Sequence, residues 1–130
     1  MKPLPRQRIP VLIAGAGPVG LTLANLLGRS GIEVLLVEQN VGLSDQPKAI
    51  LLDDESFRTF QSCGLADEIR RCVVYGYGAR YYTGSGKCLA KVRPTATQYG
   101  FARRSAFNQP QLEQILFRGL SRYPSVTVRM

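Results

Sequence analysis

Three glycines and one carboxylate have the types and the spacing of a nucleotide-binding site. Gly15, Gly17 and Gly20 form a Gly-x-Gly-x-x-Gly pattern, and Glu38 follows after about 20 residues. The first glycine of such a turn permits a sharp reversal, the second lets a pyrophosphate approach the backbone, and the third lets a helix pack closely on a strand. A carboxylate at the later position accepts hydrogen bonds from a ribose hydroxyl. These residues therefore predict a dinucleotide site.

The segments around the glycines predict the elements that position such a site. An apolar run over residues 9–14 predicts a buried parallel strand, a helical pattern over 18–30 follows the glycines, and a second strand is expected over 33–38. The expected buried stripe of the helix consists of Val19, Leu23, Leu26 and Leu27. Free N–H groups at the helix start favour a phosphate. Because Glu38 would repel a 2′-phosphate, FAD or NAD is favoured over NADP.

Composition and charge narrow the classes of function. The chain has 130 residues, of which 45% are hydrophobic and 20% are charged, so it has room for one domain with a modest core. Its net charge is +8, but the basic residues are scattered and no known nucleic-acid motif is present. We therefore expect no nucleic-acid partner. Because the chain lacks histidine and any Cys-x-x-Cys pair, we do not expect a metal site either.

The N-terminal residues raise the question of targeting. Basic residues precede an apolar run, as in a signal peptide, and residues 9–27 are nearly long enough to cross a membrane. A Gly-Pro break, Thr22 and Asn25 argue against both interpretations. We expect residues 1–8 to form a loose lead-in and the chain to have no membrane span. The chain has three widely spaced cysteines, Cys63, Cys72 and Cys88. Such thiols suit a reduced, cytoplasmic protein.

The segment after the second strand carries one possible cofactor ligand. Residues 39–48 are polar and are broken by glycine and proline, so they predict a loop at the carboxyl end of the sheet, where ligands bind. Lys48 is the one cation of this loop, and it could contact a cofactor phosphate or simply be solvated. Acidic residues then predict a helix over 53–62, followed by a short helix over 65–71. The expected core residues of the first of these helices are Phe57 and Phe60.

The second half of the chain departs from a plain alternation of strands and helices. Residues 73–92 alternate Val, Tyr and Gly around a Gly-Ser-Gly turn, which predicts an antiparallel hairpin. A loop over 93–101 and a helix capped by Asn108 follow. The predicted fold is therefore α/β, a Rossmann-like βαβ domain with an inserted hairpin, whose parallel strands lie near 9–14, 33–38 and 126–130.

No residue of the chain is predicted to be catalytic. There is no histidine, and the carboxylates other than Glu38 lie mainly at helix starts, so no pair suited to acid–base chemistry is visible. A Rossmann half-site also needs further strands and a second domain to hold a substrate beside the cofactor. We therefore expect an incomplete domain, the N-terminal part of a larger protein.

Three stretches of the sequence carry a resemblance to a known family. They read GAGPVGLTLANLLGRSGIEVLLVEQN, PKAILLDDESFRTFQSCGL and RRSAFNQPQLEQIL. They resemble the N-terminal region of the FAD-dependent aromatic-ring monooxygenases, the single-component flavoprotein hydroxylases typified by p-hydroxybenzoate hydroxylase. The resemblance is greatest to members like 3-(3-hydroxyphenyl)propionate hydroxylase and phenol hydroxylase, and it spans nearly all of residues 9–130. The first stretch occurs in many flavoproteins, whereas the other two are more specific.

The resemblance implies roles for the glycine turn and for the end of the second strand. The three glycines, together with the backbone of Ala16, Pro18 and Val19, would hold the FAD pyrophosphate. Glu38 would bind the adenosine ribose, and we include the adjacent Gln39 in the predicted site. The implied cofactor is FAD, with residues 1–130 forming the N-terminal part of a FAD-binding domain and the substrate domain lying outside the chain.

The resemblance also implies contacts from more distant positions. Lys48 stands where the family usually has an arginine that reaches the flavin nucleotide, and lysine keeps the charge but loses the bidentate fork. Gln109, in a Gln-Pro-x-Leu-Glu motif, would contact the ribityl chain. Val128, on the third strand, would lie near the adenine.

The implied activity belongs to the parent enzyme rather than to this chain. Such enzymes hydroxylate a phenolic ring with O₂, and NAD(P)H is the transient reductant of the flavin. The partners implied are a small aromatic substrate and the missing C-terminal remainder of the enzyme. Two alternatives stay open, namely the Rossmann domain of an NAD-dependent dehydrogenase or reductase, and a non-catalytic fragment or interaction module.

Overall fold

A computed structural model describes residues 8–130, so most of the predicted lead-in lies outside the described residues. The helices are α1 (Pro18–Arg29), α2 (Asp54–Ser62), α3 (Ala66–Arg70) and α4 (Gln109–Gly119). The strands are β1 (Val11–Ala14), β2 (Val34–Val37), β3 (Leu51–Asp53), β4 (Val73–Tyr75), β5 (Ala79–Tyr82), β6 (Cys88–Val92), β7 (Arg104–Phe107) and β8 (Val126–Arg129). Within the described part of the chain, no helix is long and apolar enough to cross a membrane.

The parallel sheet is the Rossmann-like core that the sequence predicts. Its strand order is β1-β2-β8, and both neighbouring pairs are parallel. Val34 of β2 is paired with Val11 on one side and with Val126 on the other. Helix α1 connects the first two strands, so the predicted βαβ unit and its three parallel strands are confirmed.

A second sheet lies outside the predicted architecture. It has the order β3-β7-β4 and is antiparallel, with Leu52 paired with Ser105 and Val74 paired with Ala106. We predicted neither β3 nor β7, because each is only three or four residues long and forms from segments far apart in the chain. Strands this short have too few residues for a detectable alternation of polar and apolar side chains.

The predicted hairpin is confirmed within narrower bounds. Strands β5 and β6 pair in an antiparallel manner around the Gly-Ser-Gly turn, with a register shift between Tyr81 and Tyr82. The first three residues of the predicted hairpin form β4 and do not belong to the hairpin, because β4 pairs with β7 of the second sheet. Gly76, with a φ of +65°, separates the two segments, so the chain changes sheets at this turn.

The predicted buried stripe of α1 is half right, because Leu26 and Leu27 pack against the core whereas Val19 and Leu23 do not. Val19 is 82% exposed and Leu23 is 42% exposed, so these side chains do not pack in the core. The most deeply buried residues of α1 are one leucine, two small residues and one amide: Leu21, Ala24, Gly28 and Asn25. The reason is that α1 packs against α4 as well as the sheet. Asn25 is fully buried and donates to the carbonyl of Leu116 in α4, at 2.9 Å.

Helix caps and a hydrophobic core fix the remaining elements. The Asp53 carboxylate accepts from the Ser56 amide at 2.8 Å and caps α2, and the Asn108 side chain accepts from the Gln111 amide at 3.1 Å and caps α4. The predicted core residue Phe57 is fully buried and stacks on Phe101, with ring centroids 5.2 Å apart. Both caps lie at strand ends, so β3 leads directly into α2 and β7 directly into α4.

Candidate functional site

The glycine turn between β1 and α1 can be formed only by residues without a side chain. Gly15 has a φ of +107°, a conformation that other residues rarely adopt, and its amide donates to the carbonyl of Val37 at 2.7 Å. A Cβ atom at Gly20 would lie 2.0 Å from the carbonyl oxygen of Gly15 and 3.2 Å from the side chain of Ile13. The first turn of α1 therefore lies directly on β1, as the third glycine of the pattern predicts.

The N-terminus of α1 has the features of a phosphate site. Gly17 is its N-cap residue, so no side chain accepts a hydrogen bond from the first N–H groups, and the first turn holds no acidic residue. A Cβ atom at Gly17 would have no protein atom within 4 Å, so the backbone here is open to a ligand. Helix N–H groups that lack a protein acceptor and face open space favour an anion. The residues present thus fit a pyrophosphate.

Glu38 links the end of β2 to this turn. Its Oε2 atom accepts from the Ala16 amide at 2.8 Å, and its Oε1 atom accepts from the amide and the side chain of Asn40, at 3.0 and 2.7 Å. These bonds, the one from Ala16 above all, hold the pKa of the Glu38 carboxyl below its usual value. An ionised carboxylate has about four acceptor positions, so one stays available to a ribose hydroxyl.

The surroundings of Glu38 suit the ribose end of a nucleotide. Glu38 and Gln39 line one small cavity together with Ala14, Gly15 and Val37. Sequence reasoning missed Asn40, which holds the carboxylate from the other side. An asparagine two positions after a strand-end carboxylate is the signal that could have identified it, because such side chains bond to nearby groups in turns.

Lys48 and Gln109 are brought together by the second sheet. The Oε1 atom of Gln109 accepts from the amides of Lys48 and Ala49, at 3.0 and 2.8 Å. Gln109 is only 5% exposed, whereas Lys48 is exposed. The amide of Phe107 also donates to the carbonyl of Ile50 at 3.1 Å, which extends the β3–β7 pairing toward Lys48.

The two predicted clusters meet at the start of α1. Pro18 and Val19 line the same groove as Ala49 and Leu51, so the segment that carries Lys48 runs past the N-terminus of the helix. A ligand bound at the glycine turn can therefore extend toward Lys48. The side chain of Gln109 points into the protein in this arrangement, and its contact with a ribityl chain stays a prediction.

Val128 lies apart from these residues. It is paired with Leu36 in the parallel sheet and lines a groove with Phe117 of α4 and with Leu120, which directly follows that helix. At this end of β8 it is Arg129 that approaches the site, since its carbonyl accepts from the Glu38 amide at 2.8 Å. The structure therefore places the backbone of β8 beside Glu38 and the Val128 side chain in a different groove.

The described residues hold no group of histidine, cysteine and carboxylate side chains suited to a metal ion. Cys63 is buried, which raises the pKa of its thiol and leaves it protonated near neutral pH, whereas Cys88 is exposed. Neither lines the cavity at Glu38 or the groove at Pro18. The features of the site are those of binding, namely backbone amides, one carboxylate and one lysine.

Known proteins share this sequence and this fold. A family model described as a FAD binding domain matches residues 8–130. The 3-(3-hydroxy-phenyl)propionate/3-hydroxycinnamic acid hydroxylase of Comamonas testosteroni is 49% identical over 118 residues, which are 91% of this chain and 20% of that protein. This chain thus spans about a fifth of the length of the curated relative.

Two solved structures show the same arrangement of elements. One is p-nitrophenol 4-monooxygenase PnpA from Pseudomonas putida DLL-E4, with a TM-score of 0.81 and 28% identity over 92% of this chain and 31% of that chain. The other is the flavin-dependent monooxygenase PieE in complex with FAD and substrate, with a TM-score of 0.80 and 27% identity over 97% of this chain and 24% of that chain. By the match of its sequence over residues 8–130, the chain belongs to the FAD binding domain family, and its fold is similar to that of flavin-dependent monooxygenases.

Proposed function

We propose that the chain is the N-terminal, nucleotide-binding part of a FAD-dependent hydroxylase that acts on a phenolic or aromatic substrate with O₂ and NAD(P)H. The observation that carries the proposal is the start of α1, where an uncapped helix N-terminus opens beside a glycine turn that is bonded to Glu38. The relative of 49% identity, a hydroxylase of phenolic acids by its name, supports the substrate class.

The residues of the chain have distinct roles in this proposal. The backbone from Gly15 to Gly20 holds the pyrophosphate, Glu38 and Gln39 hold the adenosine ribose, and Val128 lies on the adenine side. Lys48 and Gln109 hold the part of the cofactor that extends toward the flavin. Bound flavin supplies the redox chemistry, and the protein binds, orients and shields it.

The proposal assigns substrate binding and catalysis to other parts of a longer polypeptide. The chain spans about a fifth of its curated relative, and the lining of the cavity at Glu38 includes no second titratable side chain that could pair with that carboxylate. The chain is then the N-terminal part of a FAD-binding domain and hydroxylates nothing by itself. We place the enzyme in the cytoplasm, where the free thiols of the described residues stay reduced.

FAD binding by the purified chain tests the proposal. Flavin fluorescence and calorimetry should show saturable binding that Glu38→Ala weakens about tenfold or more, as for a lost bond to a charged group. Glu33→Ala is the matched control, because Glu33 is an exposed carboxylate just before β2 and lies outside the cavity at Glu38. Binding of FAD that ignores Glu38→Ala would contradict the ribose role.

The same titration separates the alternative functions. The Glu38 carboxylate suits the ribose of either FAD or NAD, so the relative affinities must be measured. An NAD-dependent dehydrogenase domain would bind NAD more tightly than FAD. A folded chain that binds neither nucleotide would favour an interaction module. Cooperative unfolding in urea, followed by circular dichroism, establishes that the sample is folded in each case.

A further inference from the structure

We infer that Glu113 is a positioning residue of the cofactor site, which acts through Gln109 to hold the backbone at Lys48. The inference rests on the proposed FAD site for its functional meaning. Glu113 lies in α4, is 2% exposed and does not line the groove at the start of α1. Its Oε1 atom accepts from the Nε2 atom of Gln109 at 2.8 Å.

The contact with Glu113 favours one orientation of the Gln109 side-chain amide, with its nitrogen toward Glu113 and its oxygen toward Lys48 and Ala49. A glutamine side chain has an acceptor oxygen at one corner and a donor nitrogen at the other. The Oε1 atom of Glu113 accepts from the Gln109 nitrogen, which leaves the Gln109 oxygen toward the amides of Lys48 and Ala49. In the opposite orientation the Gln109 nitrogen, a donor, would face the two donor amides of Lys48 and Ala49. Its oxygen, an acceptor, would face the acceptor oxygen of Glu113.

The burial of Glu113 gives this contact its importance. A buried carboxylate is costly unless it is hydrogen-bonded, and among the described residues the Oε2 atom of Glu113 has no partner. The bond to Gln109 is therefore the one interaction by which this carboxylate acts on the rest of the site. Glu113 and Gln109 are four residues apart in α4, so they are neighbours on one face of the helix.

The segment that this pair holds carries a cation to the cofactor site. Lys48 is exposed and the structure gives its side chain no ion pair within the described residues. Its position is set by its backbone, and the Gln109 oxygen holds that backbone at two consecutive amides. Removing the Glu113 acceptor should thus release the Lys48 segment without changing any side chain that touches a ligand.

Amide hydrogen exchange, followed residue by residue by NMR on the 130-residue chain, tests the inference. Glu113→Leu removes the acceptor at similar volume, and we expect the Lys48 and Ala49 amides to exchange about tenfold faster. Glu113→Gln is the rescue variant, because its carbonyl can still accept from Gln109, and it should keep both amides protected. The amide of Val34, which donates to the carbonyl of Ser125 far from this segment, reports general unfolding.

An exchange of the two side-chain types sharpens the test. Gln109→Glu alone places two carboxylates side by side and should release the Lys48 and Ala49 amides. Adding Glu113→Gln to it restores one carboxylate and one amide in reversed order, and protection should return. The inference is overturned if Glu113→Leu leaves the Lys48 and Ala49 amides protected. It is also overturned if the variant accelerates exchange of the Val34 amide equally, which would show a packing role only.

FAD titration of the same variants separates this inference from the proposed function. If the parent chain binds FAD, Glu113→Leu should weaken binding several-fold while Glu113→Gln preserves it. If the parent chain does not bind FAD, the proposed function fails although the exchange result at Lys48 stands. Equal FAD affinities of the parent chain and Glu113→Leu, together with released amides, would overturn the claim that the Lys48 segment serves the cofactor.

Discussion

In each of the two halves of the candidate site, one side chain accepts hydrogen bonds from two backbone amides. In the glycine-turn half, Glu38 accepts from the amides of Ala16 and Asn40. In the Gln109 half, Gln109 accepts from the amides of Lys48 and its neighbour. Each half holds a ligand-facing backbone segment through one side chain. The carboxylate of Glu38 uses both of its oxygens and lines an open cavity, whereas the neutral Gln109 uses one oxygen and is buried.

The two halves also differ in how far their partners lie apart in the chain. Ala16 and Glu38 are 22 positions apart, within a single βαβ unit, whereas Lys48 and Gln109 are 61 positions apart. A local unit has a fixed geometry that its spacing reveals, whereas a contact beside two strands that lie far apart in the chain has no such spacing. The glycine-turn half should therefore be the more robust of the two, and the following experiments test that expectation.

The largest effect is expected from Gly20→Ala. The added methyl group would lie 2.0 Å from the Gly15 carbonyl, so backbone must move, and the free energy of unfolding should fall by about 3 kcal/mol. Gly17→Ala is the control, because the space at Gly17 is open and its φ of −79° suits alanine. Its stability should stay within about 0.5 kcal/mol while FAD binding weakens. Urea unfolding and flavin titration check both, and an unchanged Gly20→Ala would refute the close approach.

Asp53→Ala should loosen the Gln109 half selectively. Asp53 ends β3 and caps α2, so its loss should cost about 1 kcal/mol of unfolding free energy, whereas Asp53→Asn should retain the cap. The side chain and amide of Ser56 hold the pKa of Asp53 below its usual value, so the stabilisation is complete above about pH 4 and is lost as the pH falls through the folded pKa. The Phe107 amide should lose more of its protection from hydrogen exchange than the Val34 amide does. Equal losses of protection would mean that the two halves of the site unfold together.

Glu38→Gln should reveal the charge in the glycine-turn half through its pH dependence. Because the pKa of Glu38 is lowered on folding, the carboxylate stabilises the fold above its ordinary pKa of 4.5, and this contribution is lost as the pH falls below that value. The urea midpoints of the parent chain and of Glu38→Gln should therefore differ at pH 7 and converge as the pH falls through the folded pKa. A constant difference across this range would assign the effect to packing.

The smallest effect is expected from Lys48, which is exposed. Lys48→Ala should weaken FAD binding about threefold at low salt, as for an exposed ion pair, and the difference should shrink as salt is added. Lys48→Arg should bind at least as tightly as the parent chain, since a guanidinium can contact a phosphate with two N–H groups. A flavin titration at two salt concentrations measures both. If Lys48→Ala binds FAD as the parent chain does, Lys48 is simply a solvated residue.

Most elements of the fold were predictable from the sequence, whereas the contacts that form the Gln109 half of the site were not. The strands β1, β2 and β8, the start of α4 at Asn108 and the hairpin all follow from apolar runs, caps and turn residues. Half of the stripe of α1 was misjudged because helix periodicity identifies an apolar face without identifying its partner. In the structure the fully buried Asn25 faces α4, and Val19 faces a groove.

The sequence by itself determined the βαβ unit, the glycine turn and the place of Glu38, because these depend on backbone sterics and on partners within one local motif. Only the tertiary structure decided that β3 and β7 pair, that Gln109 accepts from the Lys48 amide and that Glu113 accepts from Gln109. Such contacts join short segments, and the residues of each segment do not indicate which other segment it will contact. They form because the folded chain must find acceptors for backbone amides and buried polar groups that the local motifs leave unpaired.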